Sequence, residues 1–487
     1  MVPDILAELE ADASADAAAA FGRLVSGYLA ATRTGEGPVS TPRTPAEVAR
    51  RFDEPMPEAG RPLAEVLARL ERDVLSDANR LYHPMYVGHQ VSAPIPASVW
   101  TESLVGALNN SLAVWEMSPT LTVLEHAVIR WMTALAGFGP GAGGTFTSGG
   151  TEATFTALLA ARSRAIPDVW ERGVGADPPV IVCGEHAHYA VTRAAGELGL
   201  GMRAAVSVPS RDWKLDVAAL ERTLDRLASE GRRVMAVVAT AGSTATGSFD
   251  DLDAIGRLCE ARGLWLHVDG AHGASALLSA KHTGSLHGIE RAASLAWDPH
   301  KMMLMPLSAG MVLVRDERDL EAAFAQRAPY LFHGAGAERV LDQGVRSFMC
   351  SRRGDVLKVW VALQRHGAAG LGALYDGLCD VARRLHDTLA ARPDFEVLHE
   401  PECNILCFRW LGRRAPDDPA LDEINRTLRE RYNRSGAGWI TTTVLGGRRV
   451  LRVTVMNPRT NAEHVDQLVE GLAAIGRALP APLTAEG

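Results

Sequence analysis

The chain lacks any run of the roughly 20 apolar residues that a bilayer-spanning helix needs. Its N-terminal stretch, Met1 to Ala20, is acidic and alanine-rich, without the positive flank and compact apolar run of a secretory signal. A soluble, cytoplasmic protein is expected. Positive charge is also short: Lys+Arg 50 against Asp+Glu 58 gives a formal net charge of -8, which builds no basic field for nucleic acid or anionic lipid. The expected partners are small molecules or another copy of the chain, with no nucleic acid and no membrane. Only six cysteines occur, Cys183, Cys259, Cys350, Cys379, Cys403 and Cys407. Even Cys403 and Cys407 lack the two-residue spacing typical of zinc ligands, so reduced thiols and no metal are expected. Internal repeats and low-complexity linkers are missing too. With 487 residues the chain exceeds one small core, and a large domain with one or two smaller ones is expected.

What is present falls into three zones. Residues 1 to about 80 carry helical periodicity, clearest from Pro62 to Leu70, with a Gly- and Pro-containing loop from Thr34 to Pro45 between two helices. From about residue 120, helical patterns alternate with short apolar runs: Pro179–Cys183, Val234–Thr240, Leu264–Asp269 and Ala309–Val314. Continuous hydrophobicity is what strands covered on both faces show, which predicts a mostly parallel sheet in an α/β domain. A helical pattern from about Asp355 to His366 leads away from it. The later strands Asn404–Arg409 and Val450–Val455 alternate in character, predicting a half-exposed sheet in a smaller α+β domain. The expected organisation is an N-terminal helical segment over 1–90, a large α/β domain over 91–370 and a small C-terminal domain over 371–487.

Four motifs carry chemistry. Thr147–Ala153, with Gly149 and Gly150 at its centre, precedes a helical run; glycines and a helix N-terminus together suit a phosphate. A plain Gly-Gly turn with Thr151 as an N-cap is the alternative. No Walker-type lysine follows, which argues against an NTP loop. His188, in Glu185-His186-Ala187-His188, follows a predicted strand, where it could stack on a flat ring and exchange a proton; a plain loop histidine and a metal ligand are the other readings. Asp269 ends the run His267-Val268-Asp269-Gly270 at the strand edge where open α/β sheets place ligands. Lys301 closes Trp297-Asp298-Pro299-His300-Lys301, with apolar residues on both sides that argue against ordinary surface placement. An amine, a carboxylate, a flat ring and backbone donors for phosphate are what pyridoxal 5'-phosphate requires of a protein.

With the Ala-Thr-Ala-Gly-Ser-Thr stretch before Ala245 and His-Gly after Ala271, these motifs resemble, in order, the group II pyridoxal-phosphate-dependent amino acid decarboxylases. That family includes the glutamate, aromatic amino acid, cysteine sulfinate and 2,4-diaminobutyrate enzymes. The resemblance runs from about His83 to Pro458. It implies the fold-type I, aspartate aminotransferase-like architecture and an obligate homodimer, with active sites at the subunit interface and N-terminal helices wrapping the partner. By position, Lys301 would form the Schiff base with the cofactor, Asp269 would partner the pyridinium and His188 would stack on the ring. Gly150 and Thr151 would hold the phosphate with His300 near it, and Thr244 and Ala271 would line the ring. Arg452 would receive the substrate α-carboxylate. A strand-edge arginine paired with a surface acid is the plain alternative for it.

The resemblance has two departures. The stretch Ala328–Gly344 matches the family's mobile catalytic loop, but Leu341 falls near the position of the tyrosine that protonates Cα, with Tyr330 and His333 upstream. A decarboxylating aldehyde synthase, or another fold-type I reaction such as an aminotransferase or lyase, therefore stands as the alternative. In the substrate wall, Gly88 and His89 replace an Asn-Gln pair, and Trp115-Glu116-Met117-Ser118-Pro119 resembles the glutamate-type pattern. A small aliphatic, acidic or diamino amino acid is expected rather than a bulky aromatic one.

Overall fold

The computed structural model describes residues 5–324 and 341–479. The chain divides into two compact units, Gln90–Arg383 with His399–Leu406, and Met1–His89 with Arg384–Leu398 and Cys407–Gly487.

The first unit is built on a seven-stranded sheet. Its spatial order is Gly143–Thr147, Gly310–Val314, Ser294–Trp297, Trp265–Asp269, Val234–Thr240, Val180–Gly184, Ala205–Val208. From Ser294–Trp297 to Ala205–Val208 neighbours run parallel, and Gly310–Val314 is antiparallel to both of its neighbours. All four apolar runs of the sequence are strands here, buried almost throughout, as strands covered on both faces must be. The three others are short and rich in Gly, Ser or Thr, so their apolar signal is weak. Helix Gly150–Ala165 lies on the sheet through small side chains: Ala153 and Ala157 join Ala296, Val312, Val314 and Leu320 in a fully buried cluster. Helix Val356–Ala390 begins one residue after Asp355, and Gly367, at φ 68°, breaks it into two runs.

The second unit contains helices Ala15–Arg33, Pro45–Ala49 and Leu63–Arg69, with the loop after Arg33 ending at the Thr44–Glu47 capping box. Its four-stranded sheet runs Phe395–Val397, Ile405–Trp410, Arg448–Thr454, Thr441–Leu445. The expected half-exposed alternation is not what forms, because Ile405–Trp410 is buried at every position. Arg409 tolerates this with its side chain 2% exposed, since its guanidinium donates to Pro416 O at 2.9 Å and meets Asp422 at 3.2 Å. A buried charge survives only with such partners, and a hydropathy pattern counts it as an outward residue. Among the described residues no helix is long and apolar enough to cross a membrane.

Candidate active site

The carboxyl ends of strands Gly143–Thr147, Val180–Gly184, Val234–Thr240, Trp265–Asp269 and Ser294–Trp297 converge on a cavity of about 330 Å³. This is the sheet edge where open α/β folds hold ligands. Gly150, Thr151, His188, Thr244, Asp269, Ala271, His300 and Lys301 all line it. A larger hollow, about 990 Å³, opens near the opposite ends of the strands. Three of its arginines are matched by acids, Arg291 with Asp253 and Glu260, Arg318 with Asp316, and Arg164 with Asp319, while Arg233 and Arg315 donate to backbone carbonyls. The smaller cavity therefore carries the chemistry.

One wall is the start of a helix. Helix Gly150–Ala165 has Gly149 as its N-cap, at φ 155°, with no side-chain cap, so Thr151 sits inside the first turn and the N-cap reading fails. The first-turn N–H groups lack intrahelical acceptors and are aimed where an anion is favoured. A Cβ on Gly150 would lie 2.7 Å from Ala271 Cβ and 3.1 Å from Asp298 Oδ2. The turn thus leaves backbone, and no side chain, facing the cavity.

Opposite it are the ionisable groups. Asp269 is 8% exposed, and its Oδ1 accepts from Ala271 N at 3.2 Å, so it braces the following turn as well as facing the cavity. The His188 Nδ1 accepts from Ala190 N at 3.2 Å, which puts the proton of the neutral ring on Nε2. Burial holds that imidazole below its ordinary value, with the Lys301 charge lowering it further against the opposing Asp269. His300 is likewise held down, chiefly by burial, and its Nδ1 accepts from Ala309 N at 3.1 Å. Lys301 has a side chain 21% exposed and lies 3.2 Å from Asp298 Oδ2. The arrangement is a neutral flat ring, a buried carboxylate, an amine and an anion cradle around one space.

Two neighbours were missed in the sequence. Asp298 was visible only as a letter of its motif. His267 is fully buried behind Asp269, with Nδ1 2.9 Å from Ser294 Oγ and Nε2 3.4 Å from Thr154 Oγ1, and burial pushes it down to about 4. It ties the Asp269 strand to the cradle helix. Trp115 does not line the cavity; its backbone N–H donates to Asp342 Oδ1 at 2.8 Å, pinning the chain just after Leu341. Tyr330 and His333 lie outside the described residues. His89 and Arg452 belong to the second unit. There Arg452 is 7% exposed in an internal strand, which removes the strand-edge reading.

The profile described as the pyridoxal-dependent decarboxylase conserved domain matches residues 45–411. The chain belongs to that family. It is 33% identical over 434 residues to L-2,4-diaminobutyrate decarboxylase of Rhizobium meliloti, covering 88% of this chain and 84% of that protein. Against rat cysteine sulfinic acid decarboxylase it is 32% identical over 449 residues, 90% of this chain and 91% of the relative. The crystal structure of mouse CSAD in apo form superposes with a TM-score of 0.89 at 30% identity, covering 94% of this chain and 98% of that one. The fold is that of the fold-type I decarboxylases, and the protein is a pyridoxal-phosphate-dependent carboxy-lyase.

The cavity fits that cofactor: the side-chain-free turn at Gly149–Gly150 suits its phosphate, and the buried Asp269 suits a cationic ring nitrogen. Substituting Gly150→Ala should weaken cofactor binding, because the new methyl overlaps Ala271. Overpacking costs about 1–3 kcal/mol, or roughly ten- to a hundredfold in dissociation constant, measurable by fluorescence titration with pyridoxal phosphate.

Proposed function

We propose that the protein decarboxylates a small acidic L-amino acid to the corresponding amine, with Lys301 as the cofactor-bonding lysine. The convergence of Lys301, Asp269 and His188 on one cavity with the Gly150–Thr151 turn carries the reading. When bound, pyridoxal phosphate supplies the electron sink for the pair left behind by CO2. Asp269 holds a proton at the ring nitrogen, since a carboxylate beside it favours the charged form. His188, neutral at neutral pH, covers the ring and has its Nε2 proton free for transfer. Gly150 and Thr151 donate backbone N–H groups to the phosphate with His300 beside it, while Thr244 and Ala271 bound the ring. Arg452 receives the α-carboxylate by its two-pronged donor geometry, with His89 contributing to substrate selection. Replacing Asp269 by Ala should leave the cofactor bound but reduce turnover at least about a hundredfold; undiminished turnover would remove Asp269 from its role.

Acidic substrates are favoured by the charge around His89. After burial, the Arg452 and Arg429 charges are what hold its imidazole below the ordinary value. With Arg452 given to the α-carboxylate, the Arg429 guanidinium is left to suit a second anionic group on the substrate and to oppose a cationic one. The likeness to a cysteine sulfinic acid decarboxylase agrees. The likeness to a diaminobutyrate decarboxylase favours a second reading, a diamino substrate. A panel of L-amino acids, with CO2, amine, aldehyde and peroxide measured in each reaction, separates them. CO2 with equal amine from acidic substrates is expected. Turnover confined to diamino acids would reverse the preference, aldehyde with peroxide would make the protein an aldehyde synthase, and absence of CO2 throughout would overturn the proposal.

The working form we propose is a cytoplasmic homodimer with active sites at the subunit interface. Trp100, Leu104 and Leu108, one turn apart on helix Pro96–Leu108, stand 43%, 56% and 48% exposed, an apolar stripe that a second copy would cover.

A further inference from the structure

Asp298 is the least explained group of the cavity. Its side chain is 1% exposed, yet it lines the space around Lys301. Oδ2 stands 3.2 Å from Lys301 Nζ and 3.4 Å from His300 Nε2, while Oδ1 is buried without a hydrogen-bond partner among the described residues. The backbone fixes this geometry: Asp298 N donates to Ala271 O at 3.1 Å, and Lys301 N donates to Asp298 O at 2.9 Å. A buried carboxylate with one oxygen unused is costly, and its other oxygen, Oδ2, faces the lysine nitrogen at 3.2 Å.

We propose that Asp298 is a positioning residue that docks the Lys301 nitrogen, holding it as an ammonium after substrate has displaced it from the cofactor. The inference rests on Lys301 being the cofactor-bonding lysine. When bound, the cofactor would exchange its bond to Nζ for one to the substrate nitrogen; that nitrogen arrives as an ammonium, must lose one proton before its lone pair can attack and loses a second as the new linkage forms, and Nζ, which already carries one proton, would take up both. Nζ departs as –NH3+, and total charge is unchanged. A free ammonium on a four-carbon stem has several rotamers. An acceptor 3.2 Å away, three residues along the same turn, restricts it to those from which it can return and release product. The other ionisable groups facing this pair are His300 on its own segment, His188 on the loop after Val180–Gly184 and Asp269 on its strand; the Lys358 charge acts on His300. Among the described residues the carboxylate at ion-pair distance from Nζ is that of Asp298 and not that of Asp269.

The same carboxylate favours the protonated form of the Lys301–cofactor linkage, which gives a readout independent of turnover. In Asp298→Asn, similar in shape but uncharged, the pH midpoint of the bound cofactor's visible band should fall by about one unit or more, while Asp298→Glu should keep most of the shift. If the Asn variant does not fold, Asp298→Ser gives the same test. An unchanged midpoint in a folded neutral variant, with borohydride reduction still fixing the cofactor to Lys301, overturns the docking role. Reduction onto a different lysine overturns the assignment of Lys301 itself, so the two failures are distinguishable by peptide mapping.

Discussion

Protein carrying Lys301→Ala should bind pyridoxal phosphate without its protonated-linkage band near the visible edge, yield no reducible covalent adduct and lose at least about three orders of magnitude in turnover. The remaining site explains why binding survives in part. The Gly150–Thr151 turn and Asp269 stand on other strand ends, so the phosphate and ring nitrogen keep their partners. What disappears is the nitrogen that bonds the cofactor and returns to release product. Lys301→Arg should not restore it, because a guanidinium neither deprotonates nor adds to the carbonyl under these conditions. Absorbance, borohydride trapping and mass spectrometry of the digested adduct check the prediction together. A retained band with a trapped adduct would place the bonding lysine elsewhere in the chain.

Much of this site was legible because each part had a local signature. Strand-terminal Asp269 and the buried context of Lys301 could be read from their neighbours, as the chemistry lies within a few residues of a strong apolar run. The Gly149–Gly150 turn was legible as a cradle, though its helix begins two residues earlier than a Thr151 cap would require. Asp298 and His267 were not, since their meaning is in contacts to Lys301 and Thr154 that no spacing encodes. The small sheet shows the other limit: Arg409 reads as an outward residue, and it is contacts to Pro416 O, Asp422 and Glu396 that make its burial tolerable. Short strands such as Ser294–Trp297 escape for a simpler reason, as four residues give too little periodicity to separate from a loop.

The largest stability effect should come from a pair with no part in the chemistry. Arg352 and Glu125 have side chains 2% and 0% exposed, with Arg352 Nη2 2.5 Å and 2.6 Å from the two carboxylate oxygens. The network continues on both sides, Arg352 Nη1 donating to Thr145 Oγ1 at 2.9 Å and Phe146 N donating to Glu125 Oε1 at 3.1 Å. It therefore joins helix Pro119–Leu135 to strand Gly143–Thr147, whose end becomes the Gly149–Gly150 turn. Arg352→Ala would strand the Glu125 carboxylate in the core. Breaking one side of a buried pair costs about 3–5 kcal/mol, a large share of the roughly 5–15 kcal/mol by which domains are stable. The double variant Arg352→Met with Glu125→Leu removes both charges and should recover a large part of that loss, because the penalty lies in the unpaired charge rather than in the missing attraction. Denaturant unfolding of both variants decides it. If the double variant is no more stable than Arg352→Ala, the cost lies in the hydrogen bonds to Thr145 and Phe146, and the pair matters as a scaffold for the strand.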